Sequence, residues 1–282
     1  MRISVVTPSF NQAQFLRSTL ESVHGAEYSN LEHIVIDGGS NDGSVEIISE
    51  YADRLAYWVS EPDNGQTDAL IKGFGFATGD ILCWLNSDDL FEPWTLREVA
   101  EVFDRDPSIA FAFGDSTWID RAGGVVKRKR EHAFNRFVWL NDHNFIPQPS
   151  AFWRADLYRE VGGLCADFDL AMDADLWARF AEHTRPRHIR RPWSRMRIYP
   201  EQKTSARRSQ SLAELESIRS RYMEVSGPAR GAKRVLARTA RIGLKLAIGA
   251  YSVDDVLVGA RSLFWGSSWE ETELMRSPPN LE

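Results

Sequence analysis

The sequence predicts an α/β fold, a mostly parallel sheet flanked by helices, with a helical C-terminal appendage. Three observations lead there. Short apolar, β-branched runs alternate with amphipathic stretches at spacings of roughly 25–30 residues, the rhythm of strand–helix–strand units with right-handed crossovers. Several of the runs end at a polar corner rich in Asp, Asn or Gly, where open α/β sheets hold ligands, beyond the carboxyl ends of the strands. After Gly227-Pro228 the pattern changes to a basic amphipathic helix.

The elements follow in order. Arg2-Ile3-Ser4-Val5-Val6-Thr7 reads as a β-rich strand closed by Pro8. Asn11 is placed to cap a helix, with Gln14 three residues on in a capping-box-like arrangement, and Phe15, Leu16, Leu20 and Val23 form its apolar face. His33-Ile34-Val35-Ile36 is a second strand, ending at Asp37-Gly38-Gly39-Ser40-Asn41-Asp42-Gly43. A helix from Ser44 to Tyr51, a strand at Tyr57-Trp58-Val59 and a helix from Asp68 to Ala77 come next. The run Ile81 to Leu85 reads as a short buried strand that stops at Asn86-Ser87-Asp88-Asp89. That corner has two readings. Adjacent carboxylates suit a hard divalent cation, which takes oxygen ligands and bridges to phosphates. Asp and Asn are equally favoured as caps of a helix beginning at Leu90.

Composition narrows the class. A chain of 282 residues with 43% hydrophobic and 26% charged residues suits an ordinary globular protein of one large domain, or a domain with an appendage. No apolar run approaches the ~20 residues that span a bilayer, and no signal peptide precedes the first strand, so a cytoplasmic location is expected. Two cysteines, Cys83 and Cys165, give neither a disulfide framework nor metal-ligand spacing. The net charge of −6 hides an asymmetry: residues 1–110 hold 6 Lys/Arg against 19 Asp/Glu, the remainder 28 against 21. An acidic half suits phosphate only where a cation intervenes. No nucleic-acid partner is expected.

Two nucleotide motifs are excluded. Gly38-Gly39-Ser40-Asn41-Asp42-Gly43 does not fit G-x-G-x-x-G, and Ser44-Val45 stands where a P-loop requires Lys-Ser/Thr. What remains is Asp37 above a tight glycine turn, either a plain turn or an acceptor for a base or ribose.

Taken together, Val5 to Asn11, Val35 to Gly43 and Trp84 to Asp89 resemble, in order and spacing, the inverting glycosyltransferases of family 2. Ser60-Glu61-Pro62-Asp63-Asn64-Gly65-Gln66-Thr67-Asp68 to Phe74 is similar to the same family's loop and helix. Pro147-Gln148-Pro149-Ser150-Ala151-Phe152-Trp153-Arg154 and Met172-Asp173-Ala174-Asp175-Leu176-Trp177 resemble its acceptor-side segments. The resemblance covers roughly residues 2–205 and implies a Rossmann-like, A-type glycosyltransferase fold. It divides the chain into a catalytic domain, 1–205, with a nucleotide-sugar half (1–110) and an acceptor half (111–205), and a helical extension, 206–282.

The resemblance also implies roles. A divalent cation, Mn²⁺ or Mg²⁺, is expected at Asp88, with Asp89 or Asn86 completing its shell; the family usually has Asp where Asn86 stands. Asp173 matches the family's general base, with Asp175 the neighbouring candidate. Two residues apart on a helix, these acids point in different directions. Pro8, Ser9 and Asn11 match the loop that wraps the nucleotide, Asp37 the acid that contacts its base, and Asp68 a residue near the nucleotide. Ile71 stands where the family often has Asn, and Tyr199 where relatives often carry His. Lys72 offsets diphosphate charge, or is a solvated helix face; Lys203 reaches the diphosphate if its loop closes as a lid. Gln148, Trp153 and Trp177 fall on the acceptor side, where an aromatic face packs on a sugar ring or simply fills the core.

The expected activity is transfer from a nucleotide-sugar donor to a glycan or lipid-linked acceptor in cell-envelope assembly. A nucleotidyltransferase and a nucleotide-sugar-binding relic are the rivals; the loop after the first strand, Pro8-Ser9-Phe10-Asn11-Gln12, lacks the cation a nucleotidyltransferase needs there. In the 229–251 helix, Arg230, Arg234, Arg238, Arg241 and Lys245 fall on one face, and Val235, Leu236, Ile242 and Leu246 on the other. It reads as a peripheral anchor to the anionic inner face of the cell membrane, or as a helix docked on the protein through its apolar stripe. Residues 252–282 read as a frayed end.

Overall fold

A computed structural model describes residues 1–25, 28–222 and 228–251; the expected tail at 252–282 lies outside the described residues. Strands β1 (Ile3–Ser9), β2 (Leu31–Asp37), β3 (Tyr57–Ser60) and β4 (Ile81–Trp84) form a parallel sheet in the order β3-β2-β1-β4. Helices α1 (Ala13–His24), α2 (Ser44–Glu50) and α3 (Gln66–Phe76) join them. Chain order reverses beside β1, so a crevice is expected at the carboxyl ends of β1 and β4. Gly73 sets the fit of α3 on the sheet: a Cβ there would lie 2.4 Å from Val6 Cγ1 and 3.3 Å from Ile36 Cγ1. Only glycine allows that approach.

Beyond β4 the sheet becomes mixed. After β5 (Leu90–Phe91) and α4 (Thr95–Arg105) come β6 (Phe111–Ile119), β7 (Val125–Lys129) and α5 (Arg136–Asn141). Next follow β8 (Ala151–Arg154), α6 (Ala155–Glu160), α7 (Met172–His183) and β9 (Arg187–Arg197). Strand β8 inserts antiparallel between β4 and β6, while β9 runs parallel to β6 and pairs antiparallel with β5. The core on α7's side of the sheet is aromatic. Trp177 stacks on Phe111 at 4.7 Å and on Trp84 at 5.8 Å, and Trp153 meets Trp84 edge-on at 5.6 Å.

Three local expectations are corrected. Pro8 does not close β1; it pairs with Ile36 inside the strand. It is tolerated because β4 ends at Trp84, opposite Val6, leaving Pro8 a partner on one side only. Asn11 does not cap α1: Gln12 holds that position, and Asn11 adopts a left-handed φ of 52°. Its backbone N–H donates to Ser40 Oγ at 2.8 Å, and its Oδ1 accepts the Asn41 N–H at 3.1 Å. No helix begins at Leu90. The Asp89 N–H closes a turn on the Asn86 carbonyl at 3.1 Å, and the chain enters β5 instead.

The last elements are α8 (Lys203–Ala206), α9 (Arg208–Tyr222) and α10 (Pro228–Ala247). Helix α10 packs on α5 with the opposite face to that expected. Arg241 and Lys245 are buried, paired with Asp142 and Glu131 (Lys245 Nζ to Glu131 Oε2, 2.7 Å), while Val235, Leu236 and Leu246 are exposed. The buried acids of the body select the basic face. None of the described helices is long and apolar enough to cross a membrane.

Candidate active site

The corner after β4 is held from several sides. Thr19 Oγ1 in α1 donates to the carbonyls of Ser87 and Asp89, both at 2.9 Å. The buried Arg197 at the end of β9 donates through Nε to the Asp88 carbonyl at 2.9 Å and through Nη1 to the carbonyls of Asp120 and Arg121. Its guanidinium lies 4.5 Å from the Phe15 ring centroid. So fixed, adjacent carboxylates diverge. Asp89 is buried and its Oδ1 accepts the Arg197 N–H at 2.9 Å. It locks the corner to β9 and does not offer the expected metal ligand. Asp88 is half-buried, and its Oδ2 accepts the Tyr199 phenol at 2.8 Å. Burial raises both carboxyls above the usual range, and for Asp89 the charge of Asp88 adds to it.

Asn86 lies beside Asp89, whose carboxylate its side chain also meets. Its Oδ1 accepts from Gln66 Nε2 at 2.7 Å, and its Nδ2 donates to Gln148 Oε1 at 3.1 Å. Gln148 Nε2 in turn donates to the Trp84 carbonyl at 2.8 Å. The amide ties the start of α3 to the segment before β8, and both its ends are engaged by the protein's own side chains. Gln148, expected on the acceptor side, belongs to the same network.

At the end of β1, Ser9 is buried and its Oγ has no hydrogen-bond partner among the described residues. Asp37 is also buried, but four donors already meet its carboxylate: the N–H groups of Gly39 and Ser40, Ser40 Oγ and Ser60 Oγ, at 2.6–3.1 Å. Three of the four meet Oδ2 and only Ser40 Oγ meets Oδ1, so Asp37 shapes the loop and Oδ1 keeps one acceptor site. Asp68 Oδ2 accepts the Asn64 N–H at 3.0 Å. The two expected diphosphate cations are engaged elsewhere. Lys72 pairs with Glu61, and Lys203 Nζ with Asp169 Oδ1 at 2.5 Å. Arg207 holds the second oxygen of Asp169, and Glu214 accepts the N–H groups of Asp169, Leu170 and Ala171, so the 203–214 segment is latched to the loop before α7.

The two acids of α7 differ in kind. Asp175 is buried, and its Oδ2 accepts Arg179 Nε at 3.0 Å and Nη2 at 2.6 Å. Arg179 continues to the carbonyls of Val161 and Gly163. That is an ion pair that ties α7 to the preceding loop, and it leaves Asp175 unsuited to proton transfer. Asp173 is half-buried with no cationic partner among the described residues: Oδ2 accepts Asn144 Nδ2 at 2.9 Å and Oδ1 the Ala174 N–H at 2.7 Å. Burial pushes its carboxyl up to about 6, against the opposing pull of those bonds. Trp153 and Trp177 are corrected: both are wholly buried in the aromatic core and present no face to a sugar.

Among the described residues no group of three His, Cys, Asp or Glu could hold a metal ion by itself. Asp88 still fits an ion that arrives with the donor. Mg²⁺-like ions keep several waters and bind one or two carboxylates together with substrate phosphates. Gln66, Asn144 and Arg197 were not singled out in the sequence. Each acts through a partner 20 to 109 positions away, which spacing along the chain does not reveal.

The glycosyl transferase family 2 model matches residues 4–162, more than half of the chain. An uncharacterized glycosyltransferase of Mycobacterium tuberculosis is 34% identical over 190 residues, 67% of this chain and 72% of that protein. An O-antigen biosynthesis protein of Myxococcus xanthus is 28% identical over 191 residues, 64% of this chain and 14% of that one. Among solved structures, S. aureus TarS 1–349 in complex with UDP-GlcNAc has a TM-score of 0.64 at 15% identity, covering 83% of this chain and 70% of that one. Against a longer TarS chain the coverage of that protein is 41%. The mannosyltransferase PcManGT from Pyrobaculum calidifontis in complex with GDP-Man and Mn²⁺ has a TM-score of 0.62 at 19% identity, covering 97% of this chain and 83% of that one. These likenesses give the A-type glycosyltransferase fold, and with the family match they settle what kind of protein this is: the chain belongs to glycosyl transferase family 2.

Proposed function

We propose that the protein transfers a glycosyl group from a nucleotide-diphosphate sugar to an acceptor hydroxyl, with inversion at the anomeric carbon, in the assembly of cell-envelope polysaccharide or glycolipid. The observation that carries this is Asp88, held at the carboxyl end of β4 beside the sheet's point of reversal, in a chain of this family. The bound nucleotide sugars of the two solved neighbours and the name of the Myxococcus relative support the substrate class.

Asp88 would hold the divalent cation. The ion supplies Lewis-acid neutralisation of the leaving diphosphate. The chain's own residues do the rest. Ser9 and the loop shaped by Asp37 and Asn11 cradle the nucleotide. Asp173 takes the proton of the acceptor hydroxyl as its oxygen attacks the anomeric carbon. The bond from that carbon to the diphosphate oxygen breaks, and the nucleoside diphosphate departs with both electrons. Asn144 orients the Asp173 carboxylate, and Gln148 and Asn86 fix the floor between donor and acceptor sides.

A panel of nucleotide sugars with Mn²⁺ or Mg²⁺ tests the reading. One donor should raise the melting temperature, because a ligand bound to the folded state stabilises it according to its affinity. With an acceptor, that donor should yield nucleoside diphosphate and a product of inverted configuration by NMR. Retained configuration overturns the single displacement. Stabilisation by a donor with no transfer or hydrolysis favours the relic, whose specific support is the Tyr199 phenol on Asp88.

A further inference from the structure

Helix α7 begins without a cap of its own. Its N-cap residue is Ala171, which has no side-chain acceptor to offer, and Asp173 in the first turn engages its Oδ1 with the Ala174 N–H. The N–H groups at a helix start, and in the turn that leads into it, then need acceptors from elsewhere. Here a single carboxylate oxygen supplies them. Glu214 Oε2, from α9, accepts the N–H groups of Asp169, Leu170 and Ala171 at 3.2, 2.8 and 3.0 Å. Its other oxygen accepts Gln210 Nε2 at 3.0 Å, one turn back on α9. The charge also suits the positive end of the α7 dipole.

Both partners are built for this clamp. On α9, Glu214, Ile218 and Arg221 recur at steps of four and three and so share the face that packs on α7. Ile218 is fully buried, and the Arg221 guanidinium lies 4.9 Å from the Phe168 ring centroid. In the loop before α7, Phe168 and Leu170 are buried. The Phe168 carbonyl accepts Thr67 Oγ1 at 2.7 Å, and the Asp169 carbonyl accepts Lys203 Nζ at 2.9 Å. The buried side chains fix where the loop lies, and the three N–H bonds fix how it turns into α7. Asp173 stands two residues beyond the last of them.

We propose that Glu214 is a positioning residue for Asp173: by gathering the three N–H groups ahead of α7, it holds that carboxylate where the acceptor hydroxyl is to lose its proton. The inference rests on the proposed role of Asp173. Glu214 acts through the backbone and not on the substrate, and it makes α9 part of the catalytic unit rather than an appendage to it. Such a hold matters because a reacting group displaced by about 1 Å can lose about 100-fold in rate.

The test compares Glu214→Ala, Glu214→Gln and Glu214→Asp in the full chain. Glu214→Ala should lower kcat about 10- to 100-fold, while nucleoside-diphosphate affinity in Mn²⁺ stays at the wild-type value, because the Asp88 corner is untouched. Glu214→Gln keeps an acceptor oxygen for the three N–H groups and should recover most of the rate. Glu214→Asp keeps the charge with a shorter reach; it should show the losses of Glu214→Ala in smaller measure, and it carries the comparison where Glu214→Ala does not fold. The Asp173 carboxyl, followed by carbon NMR, gives a readout that needs no turnover. Burial holds its titration up to about 6, so a loosened first turn that admits water should move it toward the ordinary 3.8 in Glu214→Ala and not in Glu214→Gln. A lower melting temperature alone, with wild-type kcat and an unmoved Asp173 titration, overturns the positioning role. An Asp173→Asn variant that still transfers, or a wild type that does not, overturns the reading of the site instead; the titration then decides by itself whether Glu214 places that carboxyl.

Discussion

The Tyr199 phenol donates its proton to Asp88 Oδ2 at 2.8 Å, joining the loop after β9 to the carboxylate at the end of β4. Phe15 and Arg121 bracket the same ring, at 5.2 Å between centroids and 5.4 Å from the guanidinium. A phenol held this way is a poor ligand. Burial and the negative charge of Asp88 push its ionisation upward, so it stays a neutral donor occupying one carboxylate oxygen. Tyr199→His replaces that donor by an imidazole, a good ligand for Mn²⁺-like ions. Calorimetry of nucleoside diphosphate with MnCl₂ should show affinity roughly tenfold tighter or more. Equal affinity in the two proteins means that position 199 does not face the cation.

Asp88 itself makes the sharper prediction. The first 110 residues are strongly acidic, and Lys72 and Lys203 are tied to Glu61 and Asp169. On the proposed function, diphosphate binding rests on a cation at Asp88. Asp88→Asn should bind nucleoside diphosphate in Mn²⁺ no better than wild type does in EDTA, with an unchanged melting temperature or a higher one, since burial already disfavours the charged form. Wild-type affinity that is the same in EDTA and in Mn²⁺ removes the metal from the reading.

Part of this was legible in the sequence because it is local. The alternation that placed β1 to β4, and the apolar spacing of Phe15, Leu16, Leu20 and Val23, depend on neighbours along the chain. The corner at Asn86 to Asp89 was visible as an abrupt change of polarity. What its side chains do was not. Asp89 is taken by Arg197, 108 positions away, Asn86 by Gln148 and Asp37 by Ser60. The antiparallel insertion of β8 is likewise a pairing of distant segments. The orientation of α10 shows the same limit: its amphipathic pattern was plain, but the face that docks is chosen by Glu131 and Asp142, whose burial only the fold reveals.

That choice can be tested through the pair Lys245–Glu131, which is nearly inaccessible on both sides. Lys245→Met alone strands a buried carboxylate and should cost about 3–5 kcal/mol in urea denaturation. Adding Glu131→Gln should recover most of that loss, because two neutral groups no longer need each other. Additive costs in the double variant would show that α10 does not dock by its basic face.

Asp173 carries the last prediction, in which activity and stability oppose each other. Burial lifts its carboxyl from the ordinary 3.8 to about 6, while the Ala174 N–H and Asn144 Nδ2 favour the ionised form. A general base must be ionised, so kcat/KM should rise with pH through about 6 and level off above it. Stability runs the other way. Between 3.8 and about 6 the folded carboxyl keeps a proton that the unfolded one has lost, so stability falls as pH rises through this window. Asp173→Asn cannot ionise and should be more stable than wild type above pH 7, by up to about 3 kcal/mol, while transferring about 10²–10⁴-fold more slowly. Asn144→Leu removes a bond to the charged form and should move the acid limb of the rate profile to higher pH. Asp175→Asn breaks the pair with Arg179 and should lose stability while its acid limb stays where wild type has it. A rate that does not change between about pH 5 and 8, or an active Asp173→Asn, takes the base away from α7.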